Sequence, residues 1–297
     1  MKTKLNVNHN LFKKLSKRPP LWWRNLIVDP EIYIDVRKDN QINVYHNGAS
    51  IIKLSGTSKI IGDIHFEYIP LGKNADYIHY QINEDEIEFK KLEVMPLKNF
   101  KKEQLERIKK RVKKFNDNSS EKGIQGDFVT KNNNKKRGDG FFIDTEFAYE
   151  KSRIDMVWVD IKMKKIFFVE LKTIGDPRLY PSINKNSGVE MIDDQLEKYN
   201  QFIKKNAKNL KSYYNTIFQI KKKLGILPEF VKEETIHDYN VEEKPILLVG
   251  DCTRPWIKKN VPALNKKLKN IAYGCFYQGK GTRTFYANKN DKYKTIF

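Results

Sequence analysis

The sequence predicts an α/β protein, a mixed central sheet flanked by helices and preceded by a small N-terminal α+β domain. Three observations carry that expectation. Residues 31–68 are short β-rich runs joined by turn sequences, three apolar runs follow one another between residues 141 and 173, and helical and strand patterns then alternate toward the end. At 297 residues, 39 % hydrophobic and 12 % aromatic, the chain is long and apolar enough for two packed domains. The expected boundary falls near residue 95, giving domains at 1–95 and 96–297.

The first element is a short helix, Asn10 to Ser16, broken by Arg18-Pro19-Pro20. Trp22 and Trp23 then need either an apolar partner or bases to stack on, and core anchoring is expected of them. Glu31 to Arg37, Gln41 to Tyr45 and Ser50 to Leu54 are separated by Lys38-Asp39-Asn40 and His46-Asn47-Gly48-Ala49. These are turn sequences, so the runs read as an antiparallel meander, to which Lys59 to Ile69 adds a fourth strand. Between Leu97 and Asn116, Phe100, Leu105, Ile108, Val112 and Phe115 form one apolar stripe on a basic helix. Its polar circumference is either a solvated face or a nucleic-acid contact, with Lys109, Lys110, Arg111, Lys113 and Lys114 as candidate phosphate ligands. Asn116 to Gly140, rich in Asn, Ser, Gly and Lys, reads as an irregular connection.

Phe141 to Tyr149, Ile154 to Ile161 and Lys165 to Thr173 are consecutive strands. The third is apolar on both faces, as expected of a central strand covered on both sides. Two helices, about Val189 to Lys205 and Leu210 to Leu224, a strand Pro245 to Gly250, a basic helix Val261 to Asn270 and a strand Ile271 to Tyr277 complete the expected sheet with helices on both faces.

With 57 Lys and Arg against 37 Asp and Glu, the net charge is +20, which puts nucleic acid first among partners. No apolar stretch reaches the length of a membrane span and the first residues contain no apolar run of a signal peptide. The cytoplasm is therefore the expected compartment, with no membrane partner. Cys252 and Cys275 are too few for a thiolate zinc site or a disulfide framework, and the five histidines lack zinc-ligand spacing. Gln278-Gly279-Lys280-Gly281-Thr282-Arg283 would let backbone amides approach a phosphate, without P-loop spacing. Lys280 and Arg283 join the candidate nucleic-acid contacts.

The chemistry concentrates at Asp155 and, after fourteen intervening residues, at Glu170-Leu171-Lys172. Side chains alternate along a strand, so Glu170 and Lys172 share a face, and the neighbouring strand offers Asp155. Buried charges must be paired or bind a metal. Two carboxylates beside one ammonium leave a negative surplus, which suits a hard divalent cation. The plainer reading of the same residues is an interstrand salt bridge.

Asp on one core strand followed by Glu-x-Lys on the next resembles the PD-(D/E)xK nuclease superfamily. Gln195-Leu196-Glu197-Lys198-Tyr199 on the following helix resembles its RecB-like branch, and residues i and i+4 share a helix face. The resemblance implies a restriction-endonuclease-like core and a metal-dependent DNA nuclease acting in defence against foreign DNA or in repair. Asp155, Glu170 and the Leu171 carbonyl would bind Mg²⁺ or Mn²⁺, and Lys172 would orient or deprotonate the attacking water. Gln195 and Tyr199 would serve as accessory residues. The family's first-helix carboxylate would be Glu121 or Glu106, whereas the histidine often found upstream of the motif Asp has no counterpart. Glu146 is either a third metal ligand or half of a surface ion pair, and Arg153 is a further candidate nucleic-acid contact. The implied partner is DNA, with RNA open, and a homodimer or a partner protein is compatible. The alternatives are a non-catalytic nucleic-acid-binding module on a nuclease scaffold and an RNA-cleaving enzyme of the same fold.

Overall fold

The computed structural model describes residues 4–58, 60–64, 78–83, 86–89, 95–96, 102–115, 120–149, 152–180, 190–285, 287 and 293–296. It is a mixed α/β structure with two seven-stranded sheets and, among the described residues, six α-helices. The chain divides into two compact units, residues 2–134 with 215–235, and residues 135–214 with 236–297. The expected boundary at 95 therefore moves to 134. Two helices beyond residue 96 group with the N-terminal sheet, for reasons visible in their packing.

In the first unit, α1 (Asn10–Lys17) buries Leu11, Phe12 and Leu15, and α2 (Leu21–Ile27) buries Trp22, Trp23 and Leu26. The helix after Pro20 was not expected. Both tryptophans are core anchors, which removes them as base-stacking platforms. Strands β1 (Ile32–Arg37), β2 (Gln41–His46), β3 (Ala49–Ser55) and β4 (Ile60–Ile64) form the expected meander, and the rest of the expected fourth strand lies outside the described residues. Strands β5 (Ile78–Asn83), β6 (Glu86–Phe89) and β7 (Met95–Pro96) extend it in antiparallel order. Asn47 and Gly48 both have positive φ, 48° and 75°, the primed turn that suits the twist of a two-residue hairpin.

Helix α3 (Lys102–Phe115) buries Leu105, Ile108 and Val112, as its stripe predicts, while the side chains of Phe100 and Phe115 lie outside the described residues. Helix α4 (Glu121–Asn133) replaces the irregular connection expected there. Ser120 caps it by accepting from the Gly123 amide, and Ile124, Phe128 and Val129 are buried. The glycines that argued against a helix are what let it pack: a Cβ on Gly126 would lie 2.5 Å from the Gly48 amide nitrogen, and one on Gly48 2.0 Å from the Lys122 carbonyl.

The second unit is built on β8 (Gly140–Tyr149), β9 (Ser152–Asp160) and β10 (Lys165–Thr173), successive antiparallel neighbours. On its other edge β10 pairs in parallel with β11 (Asn240–Val241) and β12 (Ile246–Cys252), and β12 is followed by β13 (Gly274–Gly279) and β14 (Tyr293–Ile296), also parallel. The two helices expected between Val189 and Leu224 are one, α5 (Ile192–Leu224), because Asn206 to Asn209 contain neither Pro nor Gly. Its residues up to 214 group with this sheet and the remainder with the N-terminal one. Helix α6 (Arg254–Leu268) starts earlier than expected, capped by Thr253 with Pro255 in its first turn.

One face of the sheet carries Phe168, Glu170, Lys172 and, across the ladder from Lys172 through Val249, Tyr277. Phe168 and Phe147 meet Tyr214 of α5, and Tyr277 meets Trp256 and Asn265 of α6. Such aromatic pairs contribute about 0.5–1.5 kcal/mol each beyond their area. On the opposite face Phe285 packs against Phe142, Trp158 and Phe276, so an irregular segment supplies the contact where a helix was expected. Among the described residues, no helix is long and apolar enough to cross a membrane.

Candidate active site

The register of β9 against β10 sets Asp155 facing Glu170, one pair beyond Met156–Val169. Glu170 and Lys172 project from the face that α5 covers, and both are buried, Lys172 to 1 % exposure. The Lys172 ammonium donates to Glu170 Oε1 and, at 2.9 Å, to the Leu171 carbonyl, and lies 3.9 Å from Asp155 Oδ2. Asp155 Oδ2 also accepts from the Leu171 amide at 2.8 Å. The two strands are thus cross-linked by side chains as well as by the ladder.

Helix α5 closes the set. Gln195 Nε2 donates to Glu170 Oε1 and to the Tyr199 hydroxyl, both at 2.7 Å, and Tyr199 donates to the Arg153 carbonyl at 2.8 Å. Each of these bonds stabilises by about 0.5–1.5 kcal/mol net, more where the acceptor is charged. Tyr199 also belongs to the helix's apolar stripe, so it is both core aromatic and site residue.

Burial pushes Asp155 well above the ordinary carboxylate range; Glu170 pushes it further, with a smaller contribution from Glu146, and Lys172 opposes the rise. One ammonium does not offset burial and two neighbouring carboxylates. Tyr199 is likewise raised, by burial first and then by Glu170.

Glu146 faces Asp155 from the other side, between the Thr145–Met156 and Phe147–Ile154 pairs of the β8–β9 ladder. It has a φ of +53° and pairs with Arg153, whose side chain is 58 % exposed. The geometry therefore gathers Asp155, Glu170, Leu171, Lys172, Gln195 and Tyr199, with Glu146 and Arg153 at the rim. Among the described residues, no group of three or more His, Cys, Asp or Glu is arranged to hold a metal. Asp155 and Glu170 offer two hard oxygen donors, a set that fits Mg²⁺ or Mn²⁺, which keep several waters. The Leu171 carbonyl, expected as a third donor, accepts from Lys172 through one of its two lone pairs.

The remaining expected site residues sort by their partners. Glu121 opens α4 in the unit of the N-terminal sheet. Lys109 is not a phosphate contact: it is buried and held by Asp29 at 2.8 Å, Glu31 at 2.7 Å and Glu106 at 2.9 Å. Glu106 is thereby committed to this pair. Lys113 reaches Glu31 at 3.2 Å, while Lys110 and Lys114 are exposed and Arg111 half-buried. Arg283 is also corrected: it is buried, bonded to Asp251 at 2.9 Å and to the Thr282 carbonyl. Lys280 is exposed beside it.

Sequence reasoning missed the aromatic contact at the end of β8, in which Tyr149 stacks on Phe202 of α5 with ring centroids 3.7 Å apart. The signal was there, since Tyr199 and Phe202 are three residues apart on one helix face. It also missed a cleft of about 310 Å³ lined by Glu31, His46, Lys113, Asp127 and Lys131, which lies in the N-terminal unit and not at Asp155 and Glu170.

The fold and site define a mixed α/β protein with a buried carboxylate–lysine centre. Comparison with protein-family models, curated proteins and solved structures finds no match for this chain.

Proposed function

We propose that the unit built on the mixed sheet is a metal-dependent phosphodiester hydrolase, a DNA nuclease with a PD-(D/E)xK centre in a restriction-endonuclease-like core. The observation that carries this reading is the buried set Asp155, Glu170 and Lys172 on adjacent strands, closed from α5 by Gln195 and Tyr199. Burial penalises the surplus negative charge of this set, and a divalent cation relieves it. Asp155 and Glu170 would hold that ion. When bound, it supplies Lewis-acid polarisation of the phosphodiester and lowers the pKa of an attacking water.

The protein's own groups do the rest. Lys172 carries its ammonium between Glu170 and the Leu171 carbonyl, ready to orient the water and to stabilise charge developing on a phosphoryl oxygen. Gln195 fixes the Glu170 carboxylate, and Tyr199 fixes the β9 backbone two residues before Asp155. The net charge of +20 supports a nucleic-acid partner. Defence against foreign DNA or DNA repair is the role this reading leads to, and the same centre would serve for RNA.

One observation favours a second reading. Lys172 already pairs with Glu170, and no third ligating side chain completes a metal cluster among the described residues. A nucleic-acid-binding protein that keeps this centre as a structural salt bridge would bind DNA in a salt-dependent, chelator-indifferent way. Incubating wild type and Lys172→Ala with circular and linear DNA and with RNA, in Mg²⁺, Mn²⁺ or EDTA, separates the two. The nuclease reading expects cutting that needs the metal and is lost in the variant; binding without cutting under every condition contradicts it.

A further inference from the structure

Glu146 combines three features that a plain surface ion pair does not require. It faces Asp155 across the β8–β9 ladder, its backbone is left-handed at φ +53° inside a strand, and its carboxylate is held by an exposed arginine two residues before Asp155. A positive φ is unfavourable for a residue with a side chain, and such strain persists only where the surroundings impose it. Here they do: the Thr145–Met156 and Phe147–Ile154 pairs flank it, and Phe147 is locked among Phe168, Phe202 and Tyr214. Strain of this kind gathers at functional sites.

Arg153 has a fixed backbone and a movable end. Its carbonyl accepts from Tyr199, while its guanidinium lies largely in water on Glu146. An ion pair so exposed is weak, whereas a guanidinium binds a phosphate through two parallel hydrogen bonds. We propose that Arg153 is a displaceable counter-ion. It neutralises Glu146 in the resting protein and passes to a nucleic-acid phosphate on binding, which releases Glu146 to join Asp155 and Glu170 around the divalent ion. Phosphate arrival and metal binding then reinforce each other, and by linkage the coupling is reciprocal. This inference rests on the nuclease reading, because it presumes that Asp155 and Glu170 take a metal.

The test measures Mn²⁺ binding directly, from the electron paramagnetic resonance signal of the free ion. Wild type, Arg153→Gln, Glu146→Gln and the double variant are titrated with and without a short phosphorothioate oligothymidylate, which resists cleavage. Without the oligonucleotide, Arg153→Gln should bind Mn²⁺ about fivefold more tightly than wild type, and the double variant should lose that gain. With it, wild type should tighten by roughly tenfold. Because the oligonucleotide brings phosphate oxygens of its own, the diagnostic quantity is the part of that tightening absent from Glu146→Gln. If the gain in Arg153→Gln survives in the double variant, or all four proteins titrate alike, Glu146 is only half of a surface ion pair and the inference fails while the metal site stands. If wild type binds no Mn²⁺ in either condition, the nuclease reading fails together with it.

Discussion

Lys109 and Lys172 are each surrounded by carboxylates, and the two clusters behave in opposite ways. Around Lys109, Glu31 and Glu106 are 47 % and 43 % exposed; around Lys172, Glu170 and Asp155 are 2 % and 17 % exposed. In the first cluster the Lys109 hydrogen bond pulls Glu31 down to about 2, and the carboxylates raise Lys109 above its ordinary value although burial acts against them. In the second, burial leads and Asp155 is pushed up. The number of carboxylates does not decide the outcome, since Lys109 has three partners and Lys172 two. Water solvates the surplus charge at Lys109, whereas the surplus at Lys172 is sealed between a sheet and a helix. On the proposed reading, only the second cluster takes another cation.

The largest effect expected is at Lys172. Lys172→Gln should lower cleavage by about 10³-fold, the scale on which acid–base and charge-stabilising groups act. It should also cost about 3–5 kcal/mol of stability in urea unfolding, because Glu170 is left buried and uncompensated. A variant that folds less stably yet cuts normally would break the comparison. Next comes the buried pair of Lys221 with Asp35 at 3.0 Å, to which Arg37 adds a second cation at 3.3 Å. Lys221→Met should destabilise by less than the roughly 3–5 kcal/mol of an isolated buried pair, because Arg37 still faces Asp35, and Lys221→Met with Asp35→Leu should recover most of the loss. Neither variant should alter the response to Mg²⁺.

Tyr199→Phe removes two hydrogen bonds, the one donated to the Arg153 carbonyl and the one accepted from Gln195, and should cost about 1–2 kcal/mol in urea unfolding. Its turnover should fall while metal affinity changes little, since the carboxylates remain in place. Smallest is Glu31→Gln, expected within about 0.5 kcal/mol of wild type at neutral pH, because the carboxylate is largely exposed and Lys109 keeps Asp29 and Glu106. Its effect is in the pH profile. Glu31 is lowered from 4.5 to about 2, so the stability it contributes is present above pH 4.5 and fades as pH falls toward 2. Thermal unfolding of wild type should therefore lose more than that of the variant across this window.

What was legible in the sequence was local. Alternation and turn residues placed the meander and the three strands around Asp155 and Glu170, because side-chain period and turn chemistry act within a few residues. The spacing of Glu170 to Lys172, and of Gln195 to Tyr199, placed pairs on one face for the same reason. What was not legible depends on partners distant in the chain. Nothing near Lys109 in a strongly basic helix says that Asp29 and Glu31 will join Glu106 in neutralising it, and nothing near Arg283 points to Asp251. Helix α4 was masked by Gly123, Gly126 and its asparagines, and Gly126 only makes sense once the Gly48 turn lies against it. The early start of α6 is a different case, since Thr253 and Pro255 are ordinary start signals that the reading passed over.

The measurement that bears most directly on the central claim is the unfolding midpoint of wild type, Glu170→Gln and Glu31→Gln, each with and without Mg²⁺ or Mn²⁺. A cation that binds the folded state raises the midpoint by mass action. The account predicts a rise in wild type and in Glu31→Gln that is absent from Glu170→Gln. An equal rise in all three proteins, or none in any, would contradict it and leave the Lys172 cluster a salt bridge like the one at Lys109.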